Sequence, residues 1–144
     1  MPPATLAWVA EPLDETIRPE DVAAIEACIR DYFDGWFDGE ADRMDRALHP
    51  ALAKLAFGQD RERSGVDRTT KTEMVALTRQ GLGRARAVAD RALRVDVTGV
   101  SGAIASATVH SAVYMEYLLL TRASGRWQIA ASVWQWAPGH GPRA

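Results

Sequence analysis

Within the stretch from Tyr32 to Lys54, YFDGWFDGEADRMDRALHPALAK, the hydrophobic period changes, and that change restricts the fold more than any other feature of the chain. Upstream, Val22, Ile25, Ile29, Tyr32, Phe33 and Trp36 recur at spacings of three and four, the apolar face of an amphipathic helix. Pro19 suits the first helical position, where its missing donor would have no partner anyway, and Glu20 and Asp21 complement the helix dipole. Gly39 is a natural stop. A shorter helix follows with Met44, Ala47 and Leu48 inside, and Pro50 ends it by forcing the preceding residue out of helical geometry. From Ala51 the period is two. Leu52 to Phe57 reads as a strand with Lys54 and Ala56 on one face and Ala53, Leu55 and Phe57 on the other.

The remainder continues in that alternation of elements. GQDRERSGVD reads as a polar loop or hairpin tip, with glycine at both ends of its charged centre. Thr69 or Thr70 is placed to cap a third helix running to about Gln80, with Met74, Val75 and Leu77 as its apolar side and GLG as its stop. RARAVADR (84–91) reads as a solvated connector. Leu93, Val95 and Val97 alternate with polar residues as a half-buried strand, followed by a hairpin connection at Gly99–Gly102. Ala103–Thr121 is either one long bent strand or two strands meeting near Tyr114. ASGR (123–126) forms a tight turn, and Trp127–Trp136 is the last strand. Helices precede most strands, which implies an α+β domain over 18–137, with helices on one face of a curved sheet. Residues 1–17 form an N-terminal arm carrying Trp8, and 138–144 a tail.

Composition narrows the function classes. The 144 residues suffice for one domain with a real core. A net charge of −2 with interspersed signs offers no field for nucleic acid or an anionic membrane. No apolar run approaches the ~20 residues of a membrane span, and the N-terminus lacks the basic start of a secretory signal. The single cysteine, Cys28, permits no internal disulfide and fits a cytoplasmic setting; it reads as a small buried hydrophobe. The three histidines, His49, His110 and His140, show no metal-ligand spacing. GLGRAR follows a helix and is no dinucleotide fingerprint, so no cofactor is implied. Five tryptophans in so short a chain point to pockets or interfaces.

Three segments together, YFDGWFDGEADRM, ALHPALAK and AIASATVHSAVYMEYLLLTRASGRWQIAASVWQW, resemble the putative lumazine-binding family of the nuclear-transport-factor-2-like superfamily. That superfamily also holds ketosteroid isomerase and polyketide-cyclase-like proteins. The resemblance implies a cone of three helices wrapped by a strongly curved mixed, mainly antiparallel sheet. It further implies a pocket at the open end of the cone and a homodimer through the outer sheet face. Counting from the Gly39 break, Tyr32 matches the cavity tyrosine of ketosteroid isomerase, with Trp36 one turn on. The isomerase's general-base aspartate falls at Ala56, which cannot move a proton. Aligned on the last hairpin, its second acid falls at Tyr117, beside Glu116, and a cavity tryptophan falls at Trp134.

The candidate ligand-pocket residues are therefore Tyr32, Trp36, His49, Lys54, Tyr117 and Trp134, with His49 and Glu116 as candidate catalytic bases. Each has a structural alternative. His49 suits a helix-end hydrogen bond as well as a base. Lys54 is either solvated or turned into the cone, where it requires an anionic partner such as Glu116. Glu116, in apolar VYMEYLLL, is paired across a dimer or held in the cavity. The aromatic residues also serve a core. The expectation is a non-catalytic binder of a small apolar or aromatic molecule. An isomerase, cyclase or dehydratase and a protein-association module stand as alternatives.

Overall fold

The computed structural model describes residues 17–57 and 66–140. The arm with Trp8, the charged centre of the first hairpin tip and the last four residues lie outside the described residues. Helix α1 (Pro19–Asp38) ends as its sequence dictates. Gly39 takes φ 69°, a left-handed geometry that glycine adopts without a Cβ clash, and its N–H bonds back to the last turn. Helix α2 (Ala41–Ala47) follows at once. Strand β1 (Leu48–Phe57) then begins two residues before Pro50 rather than after it. Leu48 is thus strand, not helix. Pro50 is accommodated because the pairing of β1 with the last strand skips between Leu48 and Ala53, where no ladder N–H is required of it.

Strand β2 (Val66–Thr69) pairs antiparallel with β1, so the hairpin reading holds, although Val66 and Asp67 belong to the strand and not to the loop. Thr70 caps helix α3 (Lys71–Arg79) with a full capping box: its side chain accepts from the Glu73 N–H at 3.1 Å, and its own N–H donates to the Glu73 carboxylate at 3.2 Å. The stretch expected to be a solvated connector is more ordered than its composition suggests. It forms two short 3-10 helices (Leu82–Ala85 and Val88–Arg91). The Arg91 guanidinium ties them by donating to the carbonyls of Arg86 and Arg84 and to the Asp38 carboxylate.

Strands β3 (Leu93–Ser101), β4 (Ile104–Ser111), β5 (Tyr114–Thr121) and β6 (Gln128–Trp136) complete a six-stranded sheet of order β2-β1-β6-β5-β4-β3. The stretch 103–121 is therefore two strands, and the preceding hairpin turns at Gly102, later than expected. Every neighbouring pair is antiparallel except β1 with β6. Register shifts interrupt β3 with β4 and β5 with β6 as well as β1 with β6, and such bulges bend a sheet. The helices pack on the face that this bending makes concave. Ile25, Ile29, Phe33 and Phe37, four residues apart along α1, are all at most 2% exposed. They meet Met44, Leu48, Val109, Leu118, Leu120 and Ile129 in one core. Cys28 is buried beside them, and burial pushes its thiol up to about 12, as expected for a small hydrophobe rather than a nucleophile.

Candidate functional site

Toward one end of the concave face the core gives way to a cavity of about 230 Å³. Its lining alternates as strand geometry requires. Lys54 comes from β1, Tyr114 and Glu116 from β5, and Trp134 and Trp136 from β6, each pair two residues apart. Helix α1 adds Tyr32, Phe33 and Trp36, and α3 adds Met74 and Leu77. The aromatic wall is continuous. The Tyr114 ring lies 5.5 Å from Trp134 and 5.3 Å from Trp136, and the two indoles are 5.3 Å apart.

A polar cluster is set into this wall. Lys54 Nζ donates to Tyr32 Oη, and the Tyr32 hydroxyl donates to Glu116, 3.2 Å from Oε2. Ser132 Oγ donates to the same carboxylate at 2.8 Å, and Lys54 Nζ lies 3.6 Å from Oε2. Lys54 is 6% exposed and Glu116 3%, so both ions are out of water and each is the other's compensation. The ammonium also faces the rings of Tyr32 and Trp134, 5.0 and 5.2 Å from their centroids. Burial is the main cause of a lowered Lys54 pKa, opposed by the nearby Glu116 charge. Burial first, and Glu116 second, push the Tyr32 hydroxyl well above its ordinary value. The phenol is thus held as a donor.

Four of the six expected pocket residues, Tyr32, Trp36, Lys54 and Trp134, line this cavity, and so does Glu116. Two do not. Tyr117 is 58% exposed on the opposite face of β5, because adjacent strand residues point to opposite sides and Glu116 takes the inner one. His49 sits at the start of β1, where its Nδ1 accepts the Ala51 N–H at 3.0 Å. This is not the helix-end bond expected of it: the ring accepts a strand N–H two residues on, because Leu48 and His49 already belong to β1. Ala56 is buried beside Trp134 in the β1–β6 register, where a methyl leaves room for the indole. Tyr114, Ser132 and Trp136 were missed from the sequence. The period of two, applied outward from Glu116 and Trp134, points to all three.

The 3-10 segment closes the wall behind Trp36. A Cβ built on Gly83 would overlap the Trp36 carbonyl oxygen and lie 2.6 Å from its ring. Gly83→Ala is therefore expected to displace the segment or the indole and to destabilise the fold by about 1–3 kcal/mol. Urea unfolding, with the tryptophan emission of the folded state as a second readout, checks this.

The helices and the bent sheet make up a nuclear-transport-factor-2-like fold, and solved structures agree. An NTF2-like protein of unknown function from Shewanella baltica superposes with a TM-score of 0.68 at 12% identity, over 86% of this chain and 99% of its own. One from Silicibacter pomeroyi gives 0.65 at 15%, over 82% and 97%. A ketosteroid isomerase-like protein from Erwinia carotovora gives 0.56 at 16%, over 84% and 100%. At such identities the likeness is one of fold. The family model described as "Putative lumazine-binding" matches residues 20–135, and the chain belongs to that family. No curated protein matches it in sequence. Among the described residues no helix is long and apolar enough to cross a membrane.

Proposed function

We propose that the protein binds a small, flat, largely apolar molecule in the aromatic cavity. The observation that carries this reading is the buried Lys54–Glu116 pair, set with Tyr32 and Ser132 into an otherwise apolar wall. Replacing a buried ion pair by hydrophobic residues of similar volume often costs little stability, so packing alone does not call for it. A few placed polar groups in an apolar cavity are what orient a ligand. Among the described residues the buried Trp136 indole N–H finds no acceptor, which favours a ligand carrying a carbonyl or ring nitrogen. The family's description names lumazine, a flat bicycle of this kind. Calorimetric titration of lumazine tests the reading. Binding that weakens at least about tenfold in Trp134→Ala, a loss of about 1.4 kcal/mol, is the expected outcome. Heat too small to fit with either protein counts against it.

A catalytic reading has one observation in its favour: the Glu116 carboxylate accepts from the Tyr32 hydroxyl inside the cavity, a base beside a donor. Such a mechanism would run from β5, not from the Ala56 position on β1. The open cavity favours either small-molecule reading over a pure association module. The reading extends to assembly, with a second copy covering the outer sheet face. There Ile104, Tyr117, Leu119 and Val133 are each more than 40% exposed on three neighbouring strands, and unpartnered apolar surface of that kind favours association.

A further inference from the structure

We infer that Lys54 is a nucleophile that forms an imine with the carbonyl carbon of a flat aldehyde or ketone held in the aromatic cavity. The inference rests on the pocket reading above and adds a covalent step to it. The chain has fifteen arginines and only two lysines, Lys54 and Lys71. Arginine would make the same buried ion pair, often with better geometry, but it never surrenders a proton. Lysine can, and this one lines the cavity with its amine next to both a proton acceptor and a proton donor.

The groups facing Lys54 are Tyr32 from α1, Glu116 from β5, and Ser132 and Trp134 from β6; α3 contributes the apolar Met74 and Leu77 to the same cavity. No second cation adjoins the amine among the described residues of this lining. The step balances within the cluster. The ammonium passes a proton to the Glu116 carboxylate, 3.6 Å away. The freed nitrogen lone pair attacks the carbonyl carbon, and the C=O π pair moves to oxygen, which takes a proton from Tyr32 or Glu116. The attacking nitrogen, now cationic, gives one proton back to the oxygen of Glu116 or Tyr32 that lost it, which frees its lone pair. The carbinolamine hydroxyl is then protonated by that group and leaves as water while the lone pair closes the C=N bond. The nitrogen proton returns to the cluster, so amine and carbonyl become imine and water with no change of oxidation state. Burial lowers the pKa of the Lys54 ammonium, which raises the fraction of free amine near neutrality.

The test uses the full chain, naphthaldehyde as probe, cyanoborohydride to trap any imine, and peptide mapping by mass. Naphthalenemethanol, which cannot form an imine, measures non-covalent occupancy by calorimetry. The expected result is an adduct of one aldehyde less one oxygen on the peptide carrying Lys54, exceeding that on Lys71 at neutral pH. The cavity holds the aldehyde against the Lys54 amine, and such proximity raises the effective concentration, so at least about tenfold preference over Lys71 is expected. Naphthalenemethanol competes the label away, and Lys71→Arg keeps it. Lys54→Arg abolishes it, and the wild-type map decides the question if that variant does not fold. Binding of the alcohol with label only on Lys71 or the α-amine would overturn the imine while leaving the pocket. Binding of neither compound would overturn the pocket reading and this one with it.

Discussion

Glu116→Leu is expected to destabilise the fold by about 3–5 kcal/mol, the range for stripping the partner from a buried charge. Lys54 would then be an ammonium sealed behind Tyr32 and Trp134 with no anion. The double variant Lys54→Met with Glu116→Leu is expected to regain most of that loss, because it leaves apolar groups of similar volume and no lone ion. Some deficit remains, since Tyr32 and Ser132 both donate to the deleted carboxylate. The pH dependence distinguishes this from a simple packing defect. Burial lowers the Lys54 pKa in the folded chain below the 10.5 of an ordinary lysine, and Glu116 partly offsets it. Without Glu116 the depression deepens. Between the folded and unfolded values the unfolded chain then binds the extra proton, so Glu116→Leu gains stability as pH rises toward 10.5. Urea titrations at several pH values measure both effects. A double variant no more stable than the single one would contradict the account.

Phe33→Ala is expected to lose about 3–5 kcal/mol, the usual range for deleting a buried phenyl group. Phe33 is 2% exposed, sits edge-on to Tyr32 at 4.8 Å, and belongs to both the core and the cavity lining. Its removal therefore enlarges the cavity as well as weakening the core. Phe33→Leu, which keeps most of the apolar volume, is expected to lose markedly less. Urea unfolding of the two variants in parallel checks the difference. Equal losses would contradict this, since they would mean that apolar volume without the ring stabilises nothing at this position.

The fold was legible because each of its parts leaves a local trace. The Gly39 stop, the Thr70 cap and the ASGR turn are set by neighbouring residues, and the apolar faces of α1 and β1 follow from period alone. What was not legible depended on partners distant in sequence. The entry of Leu48 into β1 requires β6, because the parallel pairing absorbs Pro50. The order of 84–91 requires Asp38, 53 residues from Arg91 in sequence. Within the site, Lys54 required an anionic partner and Glu116 was the candidate, and the two are indeed joined in the cavity wall. Tyr117 failed because matching a distant family by residue count slipped by one on β5, and one residue in a strand is the whole difference between cavity and outer face. The alternation of Tyr114, Glu116 and Leu118 held the correction, since all three are buried.

The most direct measurement is native mass spectrometry of the purified protein, first under gentle and then under denaturing conditions. The account predicts a mass of two chains that carries a small molecule, released on denaturation and lost in Trp36→Ala. Trp36 lines the cavity, so the loss would place the molecule there. A co-purified molecule retained undiminished by Trp36→Ala would contradict the cavity as its site. A mass of one chain would contradict the assembly through Tyr117 and Leu119.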